Sequence, residues 1–388
     1  MSEWKEYKLG EVTVKITSGG TPKSSEASYY GGNIPWLNTK EVNFNRITKT
    51  EKCITEDGLN NSSAKWIPKG SVIIAMYGAT AAKVAYSLID LTTNQACCNL
   101  IINNDIADSQ FVYYYIQSSY EELLNLACGA AQQNLSVGVI ADFSILLPPL
   151  DEQKRIASIL SSLDDKIDLL HRENATLEAM AETLFRQWFV EEAKEDWEEG
   201  KLGDILSVKG GITPSTKEPH FWNGDIAWTS PRDVTTLNGL YLFETEKKIT
   251  QKGLEQISSG LLPAGTLLMS SRAPVGVLAF AEIPLAINQG YIAIIDDKGY
   301  SKEFIYLWLK TNMNIVHSYS NGSTFMEISK SAFKSIDIMI PSKKEVSEFV
   351  SAIKPYIDRI KLNEKQIRNI IIQRNILLPK LMSNEIKL

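Results

Sequence analysis

The side chains best suited to chemistry in this chain are polar residues in loops, and they form two sets half a chain apart. Lys40 in the first half corresponds to Arg232 in the second, and Tyr77 corresponds to Arg272. Arg, Lys, Asn, Gln and Ser can hydrogen-bond to base edges. Arg forms bidentate hydrogen bonds to guanine, and Asn or Gln forms them to adenine. Loops that occupy corresponding positions in the two halves but carry different side chains are suited to recognition. The candidate DNA-binding residues are Thr21, Lys23, Thr39, Lys40, Tyr77, Lys83, Gln95, Gln133, Thr213, Ser215, Ser230, Arg232, Arg272, Gln289 and Thr324.

The alternative for any one of these residues is a solvated surface side chain. A catalytic centre is not indicated, because the sequence has no phosphate-binding loop, dinucleotide fingerprint, nucleophile elbow or zinc-protease motif. Gly19-Gly20 and Gly210-Gly211 predict turns, since two glycines alone do not make a phosphate cradle. The four cysteines lack metal-ligand spacing, which predicts reduced core thiols and neither metal nor cofactor in this chain.

Length and composition set the class of protein. With 388 residues, 44% of them hydrophobic and 22% charged, the chain can form two or three globular cores. A net charge of −6 argues against a protein that coats nucleic acid through bulk charge. The charged beginning of the chain and the absence of a long apolar run predict a cytoplasmic protein with no membrane contact.

The two loop sets belong to an internal repeat that covers the whole chain. The segment from Trp4 to Gly10 matches that from Trp197 to Gly203, and Asn94-Gln95 matches Asn288-Gln289. Short apolar runs between turn residues predict strands, with helices between them, so each half is predicted to be a mixed α/β domain followed by a helix. The predicted divisions are 1–150 and 197–341 for two domains, and 151–196 and 342–388 for two helices.

Both helical segments carry a heptad pattern, in which steps of four and three residues place apolar side chains on one seam. The first segment is acidic and the second basic, which favours pairing within one chain. We predict that the helices pack antiparallel and that Asn174 and Asn363 face each other in the seam. Pro355 predicts either a kink or the start of a new helix. The predicted seam and partner-contact residues are Leu163, Ile167, Leu170, Asn174, Leu177, Phe185, Trp188, Phe189, Ile360, Asn363, Ile367 and Ile370.

These motifs together resemble the specificity subunit of type I restriction-modification systems. The resemblance is carried by the repeated Trp-x-x-x-x-Leu-Gly opening, the following Gly-x-Thr-Pro, and Pro-x-x-x-x-Gln-x-x-Ile from Pro148 to Ile156. The most specific mark is Leu-Phe-Arg-Gln-Trp-Phe-Val from Leu184 to Val190. The second helix departs from the pattern, because Val346 stands where the first has Gln153.

The resemblance implies an α+β fold with two pseudo-symmetric α/β target-recognition domains, separated by two long antiparallel helices that form a coiled coil. It implies that each domain reads half of a bipartite, asymmetric site in double-stranded DNA. Two modification subunits, which are methyltransferases that use S-adenosylmethionine, would dock on the helices. Restriction subunits that translocate DNA with ATP and Mg²⁺ would complete the complex, and this chain would be non-catalytic.

Other classes of function remain open at this point. A stand-alone regulator would bind its DNA site tightly without a methyltransferase partner. A structural adaptor would hold proteins and show no dependence on DNA, and an enzyme with an unfamiliar site is the weakest alternative.

Overall fold

The computed structural model of the chain describes three stretches, 4–127, 134–322 and 326–387. Two compact units share these residues. The first unit comprises Met1–Ile167 and Asn369–Leu388, and the second comprises Asp168–Arg368. Each unit mixes helices and strands and includes part of each of two long helices. No helix in the described stretches is both long enough and apolar enough to cross a membrane.

The first unit contains short strands that form three sheets. Its strands are Lys5–Lys8, Thr13–Ser18, Tyr30–Leu37, Asn45–Ile47, Lys52–Ile54, Trp66–Ile67, Val72–Ala75, Val84–Ser87, Leu91–Thr93, Cys97–Ile102 and Ser144–Leu147. Its short helices are Glu56–Asn60, Ser109–Ser118, Tyr120–Ala127 and Val137–Ala141, with 3-10 turns at Leu9–Val12, Ala27–Tyr29, Thr39–Glu41 and Gly78–Thr80.

The second unit repeats most of these elements in the same order. Its strands are Glu198–Lys201, Ser207–Lys209, Trp222–Thr229, Tyr241–Leu242, Lys247–Ile249, Leu267–Ser271, Val275–Ala281, Ala286–Ile287, Tyr291–Asp296 and Asp337–Ile340. Its short helices are Leu202–Ile205, Pro231–Thr235, Gln251–Leu254, Lys302–Thr311, Met313–Ser318 and Lys330–Lys334, with a 3-10 turn at Pro219–Phe221 and a π-helix at Gln187–Glu191.

Each unit is built on a five-stranded sheet with the same topology. In the first unit the strand order is Thr13–Ser18, Cys97–Ile102, Val72–Ala75, Val84–Ser87 and Asn45–Ile47. In the second it is Ser207–Lys209, Tyr291–Asp296, Leu267–Ser271, Val275–Ala281 and Tyr241–Leu242. In both units the last strand of this order pairs parallel to its neighbour, and the other pairs are antiparallel. The predicted repeat is therefore confirmed as a duplicated topology.

A smaller sheet in each unit is also duplicated in register. Trp36 pairs with Lys52 in the first unit, and Trp228 pairs with Lys247 in the second. Both tryptophans are buried. In the second unit a backbone bridge between Leu262 and Leu285 stands where the first unit has a fourth strand.

The two long helices are longer than their heptad seams. The first long helix is Leu150–Arg186 and the second long helix is Lys343–Met382. Pro355 lies inside the second and does not interrupt it. It lies on the exposed face, so water can reach the Ser351 carbonyl that loses its hydrogen bond.

The beginnings of the long helices differ from each other. The second begins with a capping box, since the Glu345 amide donates to Ser342 Oγ at 3.2 Å and the Ser342 amide donates to Glu345 Oε2 at 3.1 Å. The spacing of Asp151 before the apolar pattern suits an N-cap, but the structure does not place it there. Asp151 lies in the first turn, and the carbonyl of Pro149 accepts the first amide hydrogen bonds.

Candidate functional site

Three loops meet at the end of the central strand in each unit. In the first unit, the Met76 amide donates to the Ala96 carbonyl at 2.8 Å, and the Leu135 amide donates to the Met76 carbonyl at 2.8 Å. In the second unit, Ser271 takes the place of Met76, with its amide 2.8 Å from the Gly290 carbonyl and its carbonyl 3.0 Å from the Ile328 amide. The same backbone bonds thus gather corresponding loops in both units.

The glycine-rich loops close against the same edge and act as turns. A Cβ on Gly19 would overlap the carbonyl oxygen of Thr93, and a Cβ on Gly211 would overlap that of Ile287. Only glycine permits this approach. Each loop is also held by a buried indole, since Trp36 Nε1 donates to the Gly20 carbonyl at 2.9 Å. This packing explains the glycines without a phosphate ligand.

The candidate residues Thr21 and Gln95 contact each other, and so do Thr213 and Gln289. In each pair the threonine hydroxyl donates to the glutamine side-chain oxygen, at 2.7 Å in the second unit. Both glutamines are exposed, and the bond fixes which way their amides point. This shared pair is the most closely repeated polar contact of the candidate site.

The asparagines next to these glutamines were missing from the predicted site. Asn94 Oδ1 accepts from the Ala96 amide at 3.2 Å, and Asn288 Oδ1 accepts from the Gly290 amide at 2.8 Å. Both asparagines are buried. They shape the turns that expose Gln95 and Gln289, and their place in the repeated Asn-Gln motif was the signal for this role.

Other candidates join the same edges of the units. The Thr39 carbonyl accepts a hydrogen bond from Thr80 Oγ1 at 3.0 Å, and the Thr39 hydroxyl accepts one from Asn94 Nδ2 at 3.5 Å. Ser230 has a structural role as well, because it caps the helix Pro231–Thr235 and its carbonyl accepts from the Tyr291 hydroxyl at 2.6 Å.

The charged candidates have acidic or polar partners on the surface. Lys40 forms an ion pair with Glu51, whose hydrogen bond raises the pKa of Lys40. The corresponding Arg232 lies 3.8 Å from Glu246. The remaining contacts are Lys23 with Glu26 at 3.6 Å, Lys83 with Asn43 at 2.7 Å, and the Ser215 carbonyl with Trp222 Nε1 at 3.1 Å. Gln133 and Thr324 lie outside the described residues.

Tyr77 and Arg272 occupy matched positions just beyond the central strands Val72–Ala75 and Leu267–Ser271. The backbone of Tyr77 bridges that of Asn134, and the backbone of Arg272 bridges that of Glu327. We call Tyr77 with Asn134, and Arg272 with Glu327, the bridge pairs. The predicted site included only one member of each pair, because the contact joins residues that are distant in sequence. The alignment of the two halves, which matches Asn134 with Glu327, was the available signal.

In the second unit the long helices pack antiparallel. Asn363 Nδ2 donates to Asn174 Oδ1 at 2.9 Å, which confirms the predicted contact. Further along, the ring of Phe185 lies 5.8 Å from that of Phe349. Residue numbers therefore rise from 174 to 185 along the first long helix while they fall from 363 to 349 along the second. Asn363 is fully buried, while Asn174 is partly exposed.

The aromatic residues of the π-helix Gln187–Glu191, which follows the first long helix, pack against the core of the second unit. The centroid of the Phe189 ring lies 4.9 Å from that of Phe349, and the Trp188 and Phe349 centroids are 5.8 Å apart. Phe349 itself is buried. Trp188 and Phe189 are therefore partly buried against the core of this unit.

In the first unit the same helices are joined by a buried charge pair that sequence reasoning missed. Asp164 accepts from Arg374 Nη1 at 2.7 Å and from the Tyr114 hydroxyl at 2.6 Å. Burial and the neighbouring Asp164 raise the pKa of Tyr114. The predicted seam residue Leu163 is only half-buried beside it, whereas Ile167, Leu170, Ile360, Ile367 and Ile370 are buried in their units and Leu177 is partly exposed.

Glu364 anchors the second long helix to the sheet of its unit. Its carboxylate accepts from the Leu240 amide at 2.7 Å and from the Tyr241 amide at 2.9 Å. Burial raises the pKa of Glu364 to about 7, although both backbone hydrogen bonds act in the opposite direction. No group of three or more His, Cys, Asp and Glu side chains that could hold a metal occurs in the part of the chain described.

The two units thus share a duplicated backbone frame that presents different side chains at matched positions. The family model described as type I restriction modification DNA specificity domain matches residues 1–179 and again 194–372. The chain belongs to this family of type I restriction-modification DNA specificity domains.

Individual relatives agree with the family match. The MjaIX specificity subunit of Methanocaldococcus jannaschii is 36% identical over 187 residues, which are 48% of this chain and 43% of that protein. The chain thus spans less than half of that relative, whereas the alignment with the Haemophilus influenzae HindI specificity subunit, at 22% identity, covers both proteins completely. The crystal structure of a type I S subunit from M. genitalium has the same fold, with a TM-score of 0.56, 18% identity, and coverage of 97% of this chain and 96% of that one.

Proposed function

We propose that the chain recognises a bipartite, asymmetric target in double-stranded DNA, with one half-site read by domain 1–150 and the other by domain 197–341. This proposal rests on one observation: the two units have the same backbone arrangement in these loops but carry different side chains at corresponding positions. The clearest case is Tyr77 in the first unit, which corresponds to Arg272 in the second. A duplicated reader with unlike contacts reads unlike half-sites, whereas a homodimer of identical readers reads a palindrome.

We also propose that segments 151–196 and 342–388 dock two modification subunits and, with restriction subunits, complete the complex. Exposed apolar side chains on the long helices support a protein partner. They are Leu169, Met180 and Leu362 in the second unit, and Ile372 and Ile376 in the first. Apolar side chains left on an exposed helix face are typical of a surface that a partner covers.

In this proposal the chain itself is non-catalytic and needs no cofactor. S-adenosylmethionine would be used by the modification subunits, and ATP with Mg²⁺ by the restriction subunits. The relatives are named specificity subunits, which supports this division of labour. The proposed location is the cytoplasm, where the DNA and these partners would be present.

Electrostatics support a shared DNA interface. The chain has a net charge of −6, while phosphate contacts dominate the affinity of proteins for DNA. The isolated chain should therefore bind DNA weakly, and the modification subunits should supply most of the phosphate contacts.

A gel-shift experiment with random duplexes, with and without purified modification subunits, tests this function. We expect tight, sequence-selective binding only when both components are present. Tight specific binding by the chain alone would identify a stand-alone regulator. Assembly with the subunits that does not depend on DNA, and that gives no selective binding, would identify a structural adaptor.

Two matched variants test whether each domain reads its own half-site. Lys40→Ala should relax sequence preference in the first half-site only, and Arg232→Ala should relax it in the second only. A lost bidentate contact of Arg232 to guanine would weaken binding of the preferred sequence by about 1–3 kcal/mol. Each variant serves as the control for the other, and uniform weakening on all sequences would contradict a reading role.

A further inference from the structure

The bridge pairs stand at the same point of the two units. In each unit the first member, Tyr77 or Arg272, directly follows the residue whose amide and carbonyl tie the three loops together. The second member, Asn134 or Glu327, bridges it from the opposite strand. Residues that face each other in an antiparallel bridge carry their side chains on the same face, about 4.5–5.5 Å apart at Cβ. Each bridge pair therefore presents two adjacent side chains.

We propose that each bridge pair reads one base pair of its half-site, and that the pair in the first unit selects A·T while the pair in the second selects G·C. This inference rests on the proposed DNA-reading function and assigns the base type to one position in each half-site. The exposed edges of the two bases in a pair lie side by side in the major groove, as the two side chains of a bridge pair do.

The chemistry of the second unit fits a G·C pair. The Arg272 guanidinium has only donors and the Glu327 carboxylate only acceptors. Arginine forks onto the O6 and N7 acceptors of guanine, and glutamate accepts from the N4 amino group of cytosine. Arg272 is half-buried and Glu327 is exposed, which leaves the carboxylate accessible from solvent.

The Arg272 and Glu327 side chains form no ion pair with each other in the described stretches of the chain. A pair that served only to hold its own strands together would gain from such a contact. A backbone hydrogen bond already joins the two segments beside the bridge pair, since the Ile328 amide donates to the Ser271 carbonyl at 3.0 Å. The opposed charges of Arg272 and Glu327 are therefore available for an external ligand that carries both acceptors and a donor.

The chemistry of the first unit fits an A·T pair. The exposed Asn134 amide carries both a donor and an acceptor, as recognition of adenine at N7 and N6 requires. The Tyr77 hydroxyl donates to the Gln95 carbonyl at 3.1 Å, so the hydrogen of this hydroxyl is directed into the protein. The remaining surface of Tyr77 is its apolar ring, which suits contact with the methyl group of thymine.

An exchange of the bridge pairs tests the inference. The full chain, assembled with its modification subunits, selects duplexes from a random pool, and the bound sequences are read. In the wild type, one position of one half-site should be G·C and one position of the other should be A·T, each preferred by about 5- to 150-fold. The double variant Arg272→Tyr with Glu327→Asn should change the G·C position to A·T and leave the other half-site unchanged. The reverse exchange, Tyr77→Arg with Asn134→Glu, should change the A·T position to G·C.

Conservative variants keep the test decisive if an exchanged chain fails to fold. Arg272→Lys removes the fork but keeps the charge, and Glu327→Gln keeps the shape but replaces one acceptor with a donor. Each should reduce discrimination at the G·C position at least about 5-fold. Met326→Ala is the matched control, because the neighbouring side chain points to the other face of the strand, and it should leave the selected sequence unchanged.

The outcomes separate this inference from the function on which it rests. If the wild-type complex selects no sequence, the proposed function fails. If the wild-type complex selects a bipartite sequence that neither the exchanges nor the conservative variants alter, the proposed function stands and the assignment of the bridge pairs is overturned.

Discussion

Removal of Arg374 is the perturbation whose effect follows most directly from the structure. The Arg374 guanidinium lies 2.7 Å from the Asp164 carboxylate, and these side chains are only 15% and 7% exposed. The change Arg374→Met keeps an apolar stem in place and removes the charge. It leaves the Asp164 carboxylate buried, with the Tyr114 hydroxyl as its remaining neutral donor among the contacts described here.

Breaking a buried ion pair on one side costs about 3–5 kcal/mol, because the remaining charge is uncompensated. Tyr114 still donates to Asp164, so we expect the lower end, a loss of about 3 kcal/mol in the free energy of unfolding of the first unit. For a unit of this size the loss corresponds to a fall in Tm of about 6–12 °C. Asp164→Asn combined with Arg374→Met should recover most of this loss, since no charge remains buried and the asparagine oxygen can still accept from the Tyr114 hydroxyl.

Thermal unfolding, with hydrogen exchange measured in peptides from 150–167 and 369–387, would report this loss locally. The matched control is Lys354→Met, because the ion pair of Lys354 with Asp358 is exposed on the same long helix. That control should cost less than about 0.5 kcal/mol. A loss below about 1 kcal/mol for Arg374→Met, or a double variant as unstable as the single one, would refute the reasoning.

Three further predictions concern the second unit. Replacing Asn174 and Asn363 together by Leu should raise its free energy of unfolding by about 1–2 kcal/mol, because the buried Asn363 Oδ1 has no hydrogen-bond partner among the described residues; a decrease in denaturant titration would contradict this. Because the pKa of Glu364 is raised to about 7, the free energy of unfolding of the wild type should fall by about 3 kcal/mol as the pH rises from about 4.5 to about 7. Glu364→Gln should abolish this pH dependence, and equal denaturation midpoints of the wild type at these two pH values would contradict the prediction. Gly211→Ala should destabilise the unit by about 1–3 kcal/mol, since its Cβ would overlap the Ile287 carbonyl oxygen, and an unchanged Tm would contradict this.

The repeat and the seam contact could be predicted from the sequence, because both depend on regular spacing. The heptad pattern placed Asn174 against Asn363, and the structure has them in contact. The same pattern could not reveal Asp164 as an inward-facing residue, because a search for apolar periodicity cannot recognise a charge that is buried with its partner. Pro355 predicted a break or kink, but whether a proline interrupts a helix depends on the exposure of the freed carbonyl, which is a tertiary property.

Part of the candidate site could also be predicted from the sequence. Aligning the two halves identified Tyr77 and Arg272 at corresponding loop positions, and the structure places both within two residues of the end of a central strand. Their partners Asn134 and Glu327 come from segments that are distant in sequence, so spacing alone could not pair them. The structural role of Asn94 was missed because a buried turn asparagine and an exposed base-reading asparagine have the same sequence signature.

The most direct test of the account is a map of methylated bases in DNA from cells that express this chain together with its modification subunits. We predict methylation within a target of two different half-sites separated by a gap of fixed length and unspecified sequence. A continuous site, a palindrome, or methylation without sequence preference would contradict the claim that the two domains read unlike halves of one duplex.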